Sequence, residues 1–130
     1  MNRKYLDDIG MVDRLDTGME DDPRQERWQE QREIYGFDDR ETWSLDCSFY
    51  CWLYERLKMY LDVATIVDLT HHKFEYEGEI LTQEECIYRM LKGCETYFKQ
   101  EDSWGVSDED WKAINNVGHI WALVLPAMWW

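Results

Sequence analysis

The sequence lacks long apolar runs, a secretory signal and an excess of basic residues, and each absence excludes a class of protein. No stretch approaches the roughly 20 apolar residues that a membrane-spanning helix needs, so we expect no membrane partner. Residues 1–10 are polar and acidic, without an apolar core or a cleavage-like site. These absences predict a cytoplasmic protein whose four cysteines are reduced thiols rather than disulfides.

No motif for nucleotide binding or covalent catalysis is present. The sequence contains neither a Gly-rich dinucleotide loop nor a Walker-type phosphate loop. Glu30 and Glu33 resemble half of the paired-carboxylate magnesium site found in helical pyrophosphohydrolases, but no second pair follows at a comparable spacing. We therefore expect no catalytic residues, no metal and no cofactor, and predict that the protein is not an enzyme.

Two side-chain groups leave a metal-dependent hydrolase open as a less favoured alternative. Asp68 and Glu75 flank two adjacent histidines, which indicates either an acid–base cluster or a polar surface. The spacing of the cysteines lacks the usual Cys-x2-Cys pattern, so buried thiols are favoured over a zinc site. The candidate zinc ligands are Cys47, Cys51, Cys86, Cys94, His71 and His72.

Charge is the dominant feature of the composition. The chain has 28 acidic and 14 basic residues, which give a net charge of −14. The excess is spread along the chain, with −6 over residues 1–43, −4 over 44–81 and −4 over 82–130. Such a field repels nucleic acid and attracts basic protein surfaces, so direct nucleic-acid binding is disfavoured. The same charge is also typical of a protein that needs only to stay in solution.

The first half of the chain shows two strong helix patterns. Asp22 and Pro23 indicate a helix start, and Gly36 indicates its end. A shorter helix is predicted around residues 5–15. The next helix runs from Thr42 or Ser44 to about residue 62, because apolar residues recur there at three- and four-residue steps. That spacing predicts a single core-facing stripe of Leu45, Phe49, Trp52, Leu53, Leu57, Tyr60 and Leu61.

The second half predicts a hairpin followed by two helices. Glu77-Gly78 separates two short runs with β-forming residues, which indicates a β-hairpin. Thr82 and Glu85 fit a capping box at the start of one helix, and Ser107 starts the last. We expect a mainly α (α+β) fold, a small helical bundle of three to five helices with a short β-hairpin packed on it. A single domain over residues 1–130 is predicted, with 1–21 as a loosely ordered N-terminal arm.

Four stretches of the sequence carry a family resemblance: Phe37–Asp46, Arg56–Tyr60, the acidic turn at Ser107–Trp111 and the aromatic end at Met128–Trp130. In these stretches the chain resembles the small acidic proteins encoded by tailed bacteriophages. The resemblance implies a phage or prophage origin and carries no assigned activity, so it transfers no functional residue.

These observations favour a binding protein. Our first hypothesis is a phage-encoded accessory protein, active in the cytoplasm of an infected bacterium. It would inhibit a host defence or nucleic-acid-processing protein by occluding a basic nucleic-acid groove, in the manner of an anti-CRISPR protein. The terminal Trp129 and Trp130 either fold back on the core, which is favoured, or fill a partner's pocket. The expected partner-binding residues are Asp21, Asp22, Glu26, Glu30, Glu33, Glu75, Glu77, Glu79, Trp129 and Trp130.

The second hypothesis is a structural or regulatory phage protein that self-assembles through its aromatic end. It predicts a homo-oligomer, whereas the first hypothesis predicts a basic host partner, such as a nucleic-acid-binding effector.

Overall fold

The structure, a computed structural model, describes residues 3–10, 20–100 and 105–130. Within these residues the chain forms five α-helices and one two-stranded antiparallel hairpin, which confirms the expected mainly α fold. The elements are α1 Lys4–Asp8, α2 Gln25–Tyr35, α3 Leu45–Val63, β1 Lys73–Tyr76, β2 Glu79–Thr82, α4 Gln83–Phe98 and α5 Asp108–Val124. None of these helices has the length and apolar character needed to cross a membrane.

The chain divides into two compact units, Met1–Leu53 and Tyr54–Trp130. The chain length led us to expect a single domain, and the division into two compact units does not test that prediction. In the first unit, α1 ends at Asp8 and contributes Leu6, which is fully buried. The helix predicted around residues 5–15 is therefore shorter than expected, because residues 9 and 10 form a turn. Residues 11–15 lie outside the described residues, as does much of the expected N-terminal arm.

Helix α2 begins later than its sequence signal and ends where predicted. The Asp22 carboxylate accepts from the backbone N–H of Arg24 at 2.8 Å, so it closes a turn before the helix instead of capping it. Gly36 ends the helix in the left-handed region at φ 83°, and its N–H donates to the carbonyl of Arg32. In α2, which is described throughout, only Trp28 is buried, as expected for a nearly all-polar helix.

Trp28 fixes the loop that follows α2. Its indole Nε1 donates to the carboxylate of Asp39 at 2.9 Å, and the Arg40 guanidinium lies 4.3 Å from its ring centroid. Arg40 and Asp38 are almost fully buried, and Asp38 starts the 3₁₀ turn Asp39–Thr42 by accepting from the Arg40 N–H. The loop 36–42 is therefore held by a tryptophan and charged side chains rather than by aliphatic packing.

For the first half of α3, the sequence prediction of which face is buried is wrong. Leu53 and Leu57 are buried as expected, but Leu45 is 68% exposed and Trp52 is 43% exposed. Cys47 and Cys51 are buried instead. Residues three and four apart share a helix face, and Cys47 lies two residues, or about 200°, away from Leu45. The first half of α3 thus has two apolar stripes on roughly opposite faces, and the thiol stripe is the buried one.

In the second unit the hairpin, α4 and α5 pack together as the sequence predicts. The hairpin turn is Glu77-Gly78, and its φ values are 50° and 81°. Two positive φ values are typical of the two-residue turns whose twist matches that of the flanking strands. Thr82 and Glu85 form the predicted capping box, and Ser107 caps α5 by accepting from the Asp110 N–H. The Tyr76 hydroxyl donates to Asn116 of α5 at 2.6 Å, which attaches the hairpin to that helix.

Helices α4 and α5 approach closely at Gly93. A Cβ placed on Gly93 would overlap Cγ2 of Val117 and lie 2.6 Å from the carbonyl oxygen of Ala113. The apolar core of the second unit is fully or almost fully buried. Its main members are Leu57, Leu81, Ile87, Met90, Leu91, Cys94, Ile114, Val117, Ile120 and Val124.

Candidate functional site

The exposed face of α2 carries a row of three carboxylates. Glu26, Glu30 and Glu33 are all exposed, and their spacing of four and three residues places them on one helix face. At the rise of an α-helix the row is about 10 Å long. Glu33 also accepts a 3.3 Å hydrogen bond from Gln29. We call these three residues the α2 ridge. The structure therefore brings together three of the carboxylates predicted to bind a partner.

The arginines near the ridge are engaged by aspartates. Arg24 pairs with Asp22 at 2.9 Å and Arg27 with Asp39 at 2.7 Å. Arg32 and Arg40 both pair with Asp38, at 2.6 and 2.8 Å. These four cations lie against the loop 36–42 and the turn before α2. Residues 20–53 contain ten acidic and four basic residues, a net charge of −6. The ridge therefore presents negative charge while the cations of the same segment are held by other carboxylates.

Asp21 and Asp22 lie in the turn before α2, at one end of the ridge. Asp21 is exposed. Asp22 is half-buried and bonded to Arg24, and that hydrogen bond is the largest cause that lowers the pKa of its carboxyl group to about 2. Asp22 is thus a charged group with a cation already beside it. Asp22 is therefore less accessible to a partner than the ridge glutamates. The sequence alone did not distinguish Asp22 from these glutamates.

The three hairpin glutamates do not share one face, although alternate residues of a single ideal strand would. Glu75 pairs with Ile80 across the hairpin, whereas Tyr76 pairs with Glu79. Paired residues point to the same side of a sheet and neighbours along a strand point to opposite sides, so Glu75 and Glu79 lie on opposite faces. Because the turn has two residues, Tyr76 is paired with Glu79, so residues that would share a face on one continuous strand lie on opposite faces of the hairpin. Glu77 pairs with Lys112 at 3.4 Å and Glu79 with Arg89 at 3.0 Å, and all three glutamates are exposed.

The side chains of the terminal tryptophans are exposed, while their backbone is hydrogen-bonded to α3 within the second unit. Trp129 is 71% and Trp130 is 60% exposed. The Tyr60 hydroxyl donates to the Trp129 carbonyl at 3.1 Å. The favoured expectation, in which the indoles fold back on the core, is therefore wrong: the backbone folds back and the indoles do not. Two large aromatic side chains on a positioned backbone suit a protein–protein contact.

The C-terminal segment is held by a buried hydrogen-bond donor, the side chain of Gln83 at the start of α4. Its side chain is fully buried, and its Nε2 donates to the Ala127 carbonyl and to the Tyr60 hydroxyl, each at 3.3 Å. The Met128 sulfur lies at the same distance from that nitrogen. Among the described residues, the Gln83 Oε1 is the one buried side-chain oxygen or nitrogen with no hydrogen-bond partner. The sequence signal for this role is weak, because a glutamine after a capping threonine is ordinarily exposed.

The cysteines and histidines do not assemble into a metal site. All four cysteines are buried and none of them is in a disulfide, and burial raises the pKa of the Cys94 thiol to about 12. His71 and His72 are exposed in the turn before β1, outside the strand that carries Glu75. No group of three or more His, Cys, Asp or Glu residues in the described part of the chain is arranged to hold a metal ion.

Sequence reasoning missed an apolar groove in the first unit. Its walls are Phe37 from the loop after α2 and the exposed α3 stripe of Leu45, Phe49 and Trp52. We call these four residues the α3 groove. The cavity has a volume of about 270 Å³. A signal existed, since Leu45, Phe49 and Trp52 recur at helical spacing, but the pattern was assigned to the core.

Comparison of the chain with models of protein families, with characterised proteins and with solved structures finds no match. The functional interpretation therefore depends on the surfaces themselves. Carboxylates in a row, exposed indoles and an apolar groove can bind a basic, partly apolar protein surface. Each of these surfaces by itself presents groups that can bind a partner, through charge or through apolar contact.

Proposed function

We propose that this protein is an acidic inhibitor that binds a basic, nucleic-acid-binding protein of a bacterial host and occludes its nucleic-acid groove. The α2 ridge carries the proposal: three exposed glutamates on one helix face, in a segment whose arginines are engaged by aspartates. A row of carboxylates competes with phosphates for lysine and arginine side chains. In this proposal the protein acts in the cytoplasm of a phage-infected cell, against a defence or nucleic-acid-processing protein.

The net charge supports this choice of partner. At −14 the field attracts a basic groove and accelerates the encounter, while it repels nucleic acid and other anions. Charge alone gives little affinity after desolvation, so apolar contacts have to supply part of the binding free energy. Trp129 and Trp130 provide such contacts, because both indoles are exposed. Charge and aromatic anchors together fit a specific inhibitor better than a bare copy of the phosphate backbone.

The test is competition with nucleic acid. The tagged protein captures partners from a bacterial lysate at low salt, and each captured protein is then tested for binding to labelled DNA or RNA. We expect at least one basic partner whose nucleic acid is displaced by the inhibitor. The displacement should weaken at high salt because exposed charges are screened over about 10 Å at 0.1 M. Capture of no basic protein, or displacement that does not change with salt, contradicts the proposal.

A matched pair of variants separates the ridge from total charge. Glu26→Gln/Glu30→Gln/Glu33→Gln removes the ridge charge, while Glu84→Gln/Glu109→Gln/Asp108→Asn removes the same charge from the first turns of α4 and α5. We expect the ridge variant to displace nucleic acid at least about tenfold less effectively, which corresponds to about 1.4 kcal/mol. The control variant should keep most of the activity. Equal losses in both would assign the effect to net charge alone.

A second candidate function is self-assembly through the aromatic end, which the exposure of Trp129 and Trp130 also favours. Apolar side chains exposed on a fixed backbone can pair with a second copy. Light scattering at increasing concentration distinguishes the two candidates. Growth in mass that Trp129→Ala/Trp130→Ala abolishes supports assembly, whereas a monomer at all concentrations supports the inhibitor.

A further inference from the structure

The α3 groove is a concave apolar surface built within the first unit. Phe37 is 47%, Leu45 is 68% and Trp52 is 43% exposed, while Phe49 is half-buried. The position of the loop is set by a hydrogen bond in which the Ser48 hydroxyl donates to the Glu41 carbonyl at 2.6 Å. This bond links the 3₁₀ turn Asp39–Thr42 to the first turns of α3. The groove is therefore a product of defined local contacts.

Such a surface is costly to leave in water. Each partly exposed large apolar side chain forgoes part of the free energy that full burial provides. Clustered apolar residues at helical spacing, placed around a concavity, are the usual receptor side of helix-in-groove recognition. The opposite stripe of α3, with Cys47 and Cys51, already provides the buried face of this half of the helix. The groove residues of α3 thus lie on the face of that helix roughly opposite to these thiols.

Charge identifies the occupant. Beside these four residues, Glu41, Thr42 and Ser48 also line the cavity, and Glu41 is the only charged residue among the described lining residues. The exposed Asp46 follows Leu45 in the first turn of α3. The surrounding segment 20–53 has a net charge of −6. A second copy of this chain, at −14, would be repelled, whereas a segment with basic residues beside its apolar ones would be attracted.

We infer that the α3 groove binds an amphipathic basic helix of the partner protein. Its apolar residues at helical spacing contact Phe37, Leu45, Phe49 and Trp52, and its lysines or arginines lie beside Glu41 and Asp46. The inference rests on the proposed function, since it assigns the apolar contact to the same basic partner. It adds a second contact, distinct from the carboxylates of the α2 ridge.

The test uses a synthetic helix as the probe. The peptide has about 18 residues, long enough for several helical turns, with leucines at i, i+3, i+4 and i+7 and lysines elsewhere. A control peptide has glutamates in place of the lysines. Titration calorimetry with the full chain measures both peptides against the wild type, Leu45→Ser and Ile34→Ser. Ile34 is 63% exposed and does not line the groove, so it is the matched control.

We expect the lysine peptide to bind the wild type and the glutamate peptide not to bind. Leu45→Ser should weaken binding about tenfold, the usual effect of removing an anchor residue, and Ile34→Ser less than about twofold. Leu45→Ser/Trp52→Ser should weaken it further, and amide chemical shifts of residues 37–52 should move on peptide addition. Because Leu45 is mostly exposed, its single variant should remain folded, as circular dichroism would confirm.

Three results would overturn the inference. They are equal binding by Leu45→Ser and Ile34→Ser, no binding of the lysine peptide to the wild type, and a wild-type dimer that Leu45→Ser converts to a monomer. The last would assign the groove to a second copy. If the captured partner responds to the ridge variant but not to Leu45→Ser, the groove inference fails alone. If displacement of nucleic acid is independent of salt, the proposed function fails separately.

Discussion

The carboxylate of Asp38 accepts two hydrogen bonds from the guanidinium of Arg40, at 2.9 and 2.8 Å, and both side chains are only 6% exposed. Arg32 donates a third hydrogen bond to the same carboxylate at 2.6 Å. The pair lies beside Trp28, whose ring faces the Arg40 guanidinium at 4.3 Å. A buried ion pair of this kind costs desolvation, so its contribution depends on both charges being present.

Acid should destabilise the protein partly through Asp38. The Arg40 hydrogen bond is the largest cause that lowers the pKa of Asp38 from 3.8 to about 2. Because the folded pKa is depressed, this stabilisation is present above about pH 4 and is lost as the pH falls through about 2. It is on the order of 2 kcal/mol. Urea unfolding at several pH values should show that the wild type loses more stability over this range than Asp38→Asn. Identical losses would contradict the assignment.

Two helical glycines should respond in opposite directions to alanine. Gly93→Ala puts a methyl group against Val117 and Ala113 and should lower the free energy of unfolding by about 1–3 kcal/mol through overpacking. Gly118→Ala meets no atom within 4 Å and should raise it by about 0.5–1 kcal/mol, because alanine favours helix. Thermal and urea unfolding of both variants measure the difference. Changes of the same sign would show that α4 and α5 are not in close contact at Gly93.

The C-terminal segment should be stabilised by its backbone contacts and not by its indoles. Tyr60→Phe removes the donor to the Trp129 carbonyl and should cost about 1 kcal/mol. Trp129→Ala and Trp130→Ala should each change stability by less than about 0.5 kcal/mol, since both side chains are exposed. The control is Tyr88→Phe, at an exposed tyrosine of the same unit. A large loss in the tryptophan variants would mean that the indoles pack on the protein.

The four thiols should be unreactive in the folded protein. All are buried, and burial raises the pKa values of Cys86 and Cys94, the latter to about 12. The reactive thiolate is therefore scarce at neutral pH. An aromatic disulfide reagent at about pH 8 should react with none of them until denaturant is added, and then with all four. Rapid reaction in the folded state is the contrary result.

Local sequence signals predicted the elements well because their physical causes are local. The Thr82–Glu85 capping box, the Glu77-Gly78 turn and Gly36 each act within a few residues, and the structure has all three in place. These signals fix where elements begin and end. They say nothing about which face of an element is buried.

The missed features depend on contacts that local patterns do not encode. On α3, leucine and the aromatics looked more apolar than Cys47 and Cys51, yet the thiol face is buried because of what packs against it. The pairing of Asp38 with Arg32 and Arg40 is likewise a property of the folded loop. The hairpin glutamates differ, because the predicted Glu77-Gly78 turn already sets the register that places Glu75 and Glu79 on opposite faces.

The most direct test of the binding account is the dissociation constant of the captured basic partner, measured with the wild type and with Glu26→Gln/Glu30→Gln/Glu33→Gln at about 50 and 200 mM salt. Surface charge pairs are screened over this range, so the wild type should bind about tenfold or more weakly at the higher salt. The ridge variant should bind more weakly at low salt and depend less on salt. Equal dissociation constants for the two proteins at both salt concentrations would contradict the account.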